Sequence, residues 1–132
     1  MADLNDGMYH ISLKGEQFLS QLGDSEVILF PESSRTLKVE VKNTEDDLYT
    51  FRHNASGQYL TLDRDPQIFA QLVLGDRRAW RVVSLGDAFV IVADHPTENL
   101  SVGLDPRLEF PPKLALSPLF ERDRAWTFHD AK

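Results

Sequence analysis

Apolar and polar residues alternate with a period of two along most of this chain, and the alternation comes in three similar blocks. Tyr9-His10-Ile11, Tyr49-Thr50-Phe51 and Phe89-Val90-Ile91 open the blocks, forty positions apart. Phe18-Leu19-Ser20, Tyr59-Leu60-Thr61 and Asn99-Leu100-Ser101 follow, at steps of 41 and 40 between their leucines. Leu37-Lys38-Val39, Trp80-Arg81-Val82 and Trp126-Thr127-Phe128 close them, at steps of 43 and 46, so the last block carries a small insertion. Alternation of this kind marks half-buried strands, and the Gly, Asn, Asp and Pro clusters between them mark turns. A repeated order of three markers at a nearly constant period is the signature of a repeat architecture.

Each block reads as four strands. The first unit, about 7–47, places them near Tyr9–Leu13, Gln17–Ser20, Glu26–Phe30 and Thr36–Val41. The second, 48–87, places them near Leu48–His53, Gln58–Leu62, Ile68–Leu74 and Trp80–Ser84. The third, 88–132, places them near Ala88–Ala93, Asn99–Val102, Leu108–Leu116 and Ala125–His129. No amphipathic helix of convincing length is present. Three four-stranded units are too few for a propeller, which takes at least about four blades. They fit an all-β, single-domain β-trefoil: three pseudo-repeats closing a barrel, with hairpins across one end. Closure removes the unpaired edges that expose a β protein to aggregation. Tyr9, Tyr49 and Phe89, then Leu19, Leu60 and Leu100, then Leu37, Trp80 and Trp126 are expected to form threefold layers in the core.

Composition narrows the function. The chain has 132 residues, 42% of them apolar, which is enough for one self-sufficient core. It has no cysteine, which excludes disulfides, thiolate metal sites and cysteine nucleophiles. Its formal charge of −7, with bases scattered along the chain, argues against nucleic acid and anionic membrane as partners. Met1–Gly7 shows neither a basic nor an apolar leader region, and a cytoplasmic, monomeric protein is expected.

Catalytic chemistry finds no support. A nucleophile elbow, a P-loop and a dinucleotide-binding fingerprint are all absent. His10, His53, His95 and His129 lack metal-ligand spacing and read as surface or turn residues. Glu45-Asp46-Asp47 reads as a solvated acidic turn, without the Gly and Glu of a calcium loop. No enzyme activity, metal or cofactor is expected.

Two specific kinds of binding remain, beside a blander role as an interaction or cytoskeletal module. A rigid hairpin end loses little entropy on docking, and so suits a protease-binding loop. The segment from Leu116 to Arg124 is the longest hairpin loop in the chain and the site of the insertion. It contains Pro118, Phe120, Arg122 and Arg124, and either arginine suits the acidic specificity pocket of a trypsin-like peptidase. Gly75-Asp76-Arg77-Arg78 is its counterpart in the second unit, and His53-Asn54-Ala55-Ser56-Gly57 presents Asn54 at another hairpin. The alternative partner is a glycan, for which Asp63, Asp65 and Asp105 are the candidate ligating carboxylates. Ricin-type lectins carry Gln-x-Trp near the last strand of each unit; here Arg78-Ala79-Trp80 and Arg124-Ala125-Trp126 stand in its place, with the tryptophans as core residues.

The opening Gly7-Met8-Tyr9-His10-Ile11, the stretch from Asn99-Leu100-Ser101 to Pro112-Lys113-Leu114-Ala115-Leu116, and Ala125-Trp126-Thr127-Phe128 resemble the mushroom β-trefoil protease inhibitors. The serine protease inhibitor branch, within the wider ricin-B-like group, is the nearest match. The likeness is one of pattern over the whole chain. It implies reversible, substrate-like inhibition through a loop that varies between members. A basic residue in the last hairpin loop, here Arg122 or Arg124, implies a trypsin-like target. An Asn in the hairpin opening the second unit, here Asn54, implies an asparagine-specific one. A third variant uses the connection Lys42–Asp47, whose acidic residues fit such clefts poorly, and Lys14-Gly15-Glu16 is short for the loop of the cysteine protease inhibitors in this group.

Overall fold

The computed structural model describes residues 4–93, 100–105, 107, 111–118 and 124–131. Twelve strands and no helix of α type are found among them. The first unit contributes β1 (Gly7–Leu13), β2 (Gln17–Leu22), β3 (Glu26–Phe30) and β4 (Val39–Glu45). The second contributes β5 (Leu48–His53), β6 (Tyr59–Leu62), β7 (Leu72–Gly75) and β8 (Trp80–Leu85). The third contributes β9 (Ala88–Ala93), β10 (Leu100–Leu104), β11 (Leu114–Ser117) and β12 (Trp126–Asp130).

The first and last strands of each unit close on one another. The ring runs β1–β4–β5–β8–β9–β12 and back to β1, every pair antiparallel. The middle strands form three hairpins, β2–β3, β6–β7 and β10–β11. Bridges between units tie these hairpins into a cap: Glu26 faces Val73, Ile28 faces Lys113, and Gln71 faces Ala115. This is a β-trefoil.

The alternation read from the sequence has its cause in this closure. Inward residues of the ring and the cap share one core, in which Ile11, Phe51, Leu37, Trp80 and Trp126 are fully buried. Each tryptophan removes about 200 Å² from water, worth on the order of 5 kcal/mol before entropy is charged. Their indole N–H groups are also satisfied, by the carbonyls of Leu60 and Val102, each at 3.0 Å. Tyr9 and Phe89 lie at the rim rather than the centre: both are half-buried, and both meet the edge or face of Phe128 at 5.6 Å.

Three sequence expectations shift. Ile68 and Phe69 do not open the third strand of unit two. They form a turn, with Phe69 at φ 71°, and β7 starts at Leu72. The closing strand of unit one starts at Val39 rather than Thr36, which makes an isolated bridge to Ser20. In unit three, the residue matching Leu60 is Val102, not Leu100, because Val102 is the one that accepts the tryptophan N–H. A two-residue slip leaves every side chain on the same face, so alternation cannot detect it. Asn99, His95 and the residues 108–110 of the expected β11 lie outside the described residues.

Candidate functional site

The bonds of Trp80 to Leu60 O and Trp126 to Val102 O, with that of Leu37 N–H to Leu19 O at 2.9 Å in unit one, set the equivalences that bring three arginines to one place in the three units. Arg35, Arg78 and Arg124 each stand two residues before the core residue Leu37, Trp80 or Trp126. Each faces the outer surface of the preceding hairpin, where Ser20 pairs with Ile28, Thr61 with Val73, and Gly103 with Ala115. The fold therefore repeats one position three times, and the sequence gives it three different chemistries.

In unit three the arginine closes the position. Arg124 is 7% exposed, and its guanidinium lies flat on the strand backbone. Nε donates to Ser101 Oγ at 2.9 Å, and Nη2 donates to the carbonyls of Ser101 at 2.7 Å and Ala115 at 3.1 Å. Gly103 makes this approach feasible, because a Cβ there would stand 2.5 Å from Nη1 and 2.9 Å from Nε. Arg124 is thus corrected as a protease-directed residue: a guanidinium held by three hydrogen bonds inside the fold is not presented to an enzyme cleft. Its loop companions Phe120 and Arg122 lie outside the described residues.

In unit two the position is an open groove of about 450 Å³, bordered by Thr61, Asp63, Arg64, Asp65, Arg77 and Arg78. Thr61 stands where unit three has Gly103, so its side chain blocks the inward path. Arg78 bonds the Thr61 hydroxyl through Nε at 3.2 Å and extends along the groove instead. Asp63 is committed to the scaffold. Its carboxylate accepts from the Gln71 backbone N–H at 2.9 Å and from Arg64 at 3.1 and 3.2 Å. Partial burial pushes its pKa up, but the Arg64 and Gln71 bonds outweigh this and hold it below the usual carboxylate value. Asp65, Asp76 and Arg77 also border the groove and are exposed, with no hydrogen bond or ion pair among the described residues.

In unit one the position is a smaller groove of about 210 Å³, lined by Leu22, Ile28, Phe30, Arg35 and Pro111. Its walls are almost wholly apolar.

The other expected site residues fall elsewhere. Asp105 is buried at the junction of units two and three. It accepts from Arg107 N, Nε and Nη2 at 2.9, 3.0 and 2.6 Å, and from Gln71 Nε2 at 3.2 Å. The Arg107 bonds hold its pKa down at about 2, against the upward push of burial. Both oxygens serve the scaffold, and Arg107 in turn lies over the Phe69 ring, 5.1 Å from its centre. Asn54 is exposed at the tip of the β5–β6 hairpin and lines neither groove. Among the described residues no group of three or more His, Asp or Glu could hold a metal ion. The acidic run is a turn: Asn43 Nδ2 bonds the carbonyls of Asp46 and Leu48, and Asp47 pairs with Arg81 at 3.6 Å.

Asp63 and Asp65, named from the sequence, both border the unit-two groove, but sequence reasoning missed the grooves as such. The signal was present in the thrice-repeated arginine before the core residue. Ser20, Thr61 and Gly103 stand 15, 17 and 21 positions before their arginines, so no fixed spacing reveals them.

No family model and no curated protein matches the chain. Solved structures do. A Macrolepiota procera ricin B-like lectin in complex with lactose superposes with a TM-score of 0.82 at 21% identity, over 98% of this chain and 100% of that one. The designed threefold-symmetric protein ThreeFoil gives 0.80 at 17%, over 96% and 100%. A Polyporus squamosus lectin bound to a sialylated influenza-binding epitope gives 0.73 at 17%, over 96% of this chain and 50% of that one. Likeness at these identities establishes the trefoil fold.

Proposed function

We propose that this trefoil is a carbohydrate-binding protein that holds a neutral saccharide in the unit-two groove. The observation that carries this reading is the pairing of uncommitted charges there. Asp65 and Asp76 offer acceptors, Arg77 and the terminal nitrogens of Arg78 offer donors, and the sum of their charges is zero. A sugar hydroxyl is both donor and acceptor, and neighbouring hydroxyls span a carboxylate and a guanidinium together. A neutral ligand meets no net repulsion in such a groove. Fungal lectins of the same fold, solved with lactose and with a sialylated glycan, lend support. No aromatic ring lines the groove among the described residues, so affinity rests on hydrogen bonds and is expected near the millimolar range, about 4 kcal/mol.

A glycan array followed by calorimetric titration tests this. Binding of neutral glycans should fall about tenfold in Asp65→Asn and in Arg78→Gln, the loss of one charge-assisted bond in each. Binding that ignores both substitutions places the sugar elsewhere, and no binding to any glycan ends the reading.

One observation favours peptidase inhibition as a second reading. The hairpin presenting Asn54 is braced on all sides: Asn54 N–H bonds Lys38 O at 2.9 Å, His53 Nδ1 and Ser56 Oγ lie 2.8 Å apart, and Gly57 N–H returns to His53 O at 2.9 Å. A loop so fixed suits substrate-like docking to an asparagine-specific endopeptidase. Inhibition of such an enzyme that vanishes in Asn54→Ala would establish it. Inhibition of trypsin that vanishes in Arg122→Ala would instead assign the role to the last loop.

A further inference from the structure

We infer that the unit-one groove is a second binding site, for a small carboxylate with an apolar body such as a short aliphatic or single-ring acid. Its walls and its rim argue for different halves of that ligand. Ile28 is 1% exposed and forms the floor, while Leu22, Phe30 and Pro111 are half-buried walls. At about 30 Å³ for each water-sized group, 210 Å³ takes roughly seven non-hydrogen atoms, a six-carbon chain or one ring.

The rim supplies the charge. Arg35 is exposed, and its guanidinium has no hydrogen bond or ion pair among the described residues. The other two units show why. Arg78 bonds the hydroxyl of Thr61, and Arg124 bonds that of Ser101. The unit-one residue that matches Thr61, Ser20, is buried and its hydroxyl is turned away, donating instead to the carbonyl of Phe18 at 2.9 Å. Ile28 fills the place that Ala115 leaves open in unit three, so Arg35 cannot fold inward either. Its backbone is fixed at both ends nonetheless: its N–H bonds Ser33 Oγ at 3.1 Å, and its carbonyl accepts from Gln21 N–H at 2.9 Å. The far wall is fixed too, through the Leu29 N–H bond to Pro112 O at 2.9 Å. A pre-formed apolar slot, with a guanidinium at its mouth that has no partner among the described residues, is complementary to a carboxylate, which an arginine holds by two parallel bonds. Lys113, two residues beyond the Pro111 wall, pairs with Glu26 at 3.5 Å.

Titration of the intact chain with hexanoate, hexanol and hexylamine, followed by amide NMR shifts, tests the site. Hexanoate should bind once per chain, shift the amides of Leu22, Ile28 and Phe30, and bind about tenfold tighter than hexanol, the worth of one charge-assisted pair. Arg35→Gln, an exposed substitution that leaves the fold alone, should bring hexanoate down to the level of hexanol. Phe30→Ser should weaken both acid and alcohol together. Equal binding of acid, alcohol and amine would overturn the assignment, and so would shifts confined to other units or saturable binding unchanged by Arg35→Gln.

Discussion

Gly103→Ala probes the arginine plug of unit three most directly. The added methyl would stand 2.5 Å from Nη1 and 2.9 Å from Nε of Arg124, where non-bonded atoms need about 3.5 Å. The guanidinium must therefore move by about 1 Å, more than its three bonds to Ser101 and Ala115 tolerate. Loss of charge-assisted bonds and exposure of two backbone carbonyls cost about 3–5 kcal/mol, and the lower chain entropy of Ala returns about 0.5–1. The net expectation is a destabilisation of about 2–4 kcal/mol, or on the order of 10 °C in Tm for a chain of this size. Denaturant unfolding measures it, with Gly75→Ala as control: there the nearest atom is the Thr61 methyl at 3.1 Å, and the change should stay within about 1 kcal/mol. The decisive arm is the double variant. If Arg124 is the cause, Gly103→Ala costs almost nothing in an Arg124→Ala background, a coupling of about 2 kcal/mol or more. Additive costs would refute the plug.

Other expectations follow from the same contacts. Asp105, with its pKa held at about 2 against 3.8 when free, stabilises the fold above pH 3.8 and loses that contribution as pH falls towards 2. Asp105→Asn should accordingly be about 2 kcal/mol less stable at pH 7, with the gap closing by pH 2; a gap independent of pH contradicts the ion pair. Burial holds His53 below 6.5, so the unfolded chain protonates first, and stability present at neutral pH declines as pH drops from 6.5 through the folded-state value. Protection of the Gly57 amide, taken relative to its intrinsic exchange rate at each pH, should fall over that range in the wild type and not in His53→Gln. Trp80→Phe and Trp126→Phe should each cost about 2–3 kcal/mol, since each orphans a buried carbonyl, and markedly unequal costs would argue against the equivalence of the two units.

The sequence by itself determined the architecture. Three blocks of period-two alternation, closed by Leu37, Trp80 and Trp126, are what a barrel of three four-stranded units demands, because every inward position of a closed sheet is buried. It also showed, without explaining, the arginine two residues before each of those core positions. The tertiary structure decided what those arginines do. Whether the guanidinium is swallowed, as at Arg124, laid along a polar groove, as at Arg78, or left at the mouth of an apolar slot, as at Arg35, depends on residues of a separate hairpin: Gly103, Thr61, and Ser20 with Ile28. Those residues lie 7 to 21 positions away in the chain and become neighbours only when the cap forms. Alternation reports which face a side chain takes, and the same face can hold a methyl, a hydroxyl or no side chain at all. That choice, made across the hairpin, sets whether the surface is closed, polar or apolar.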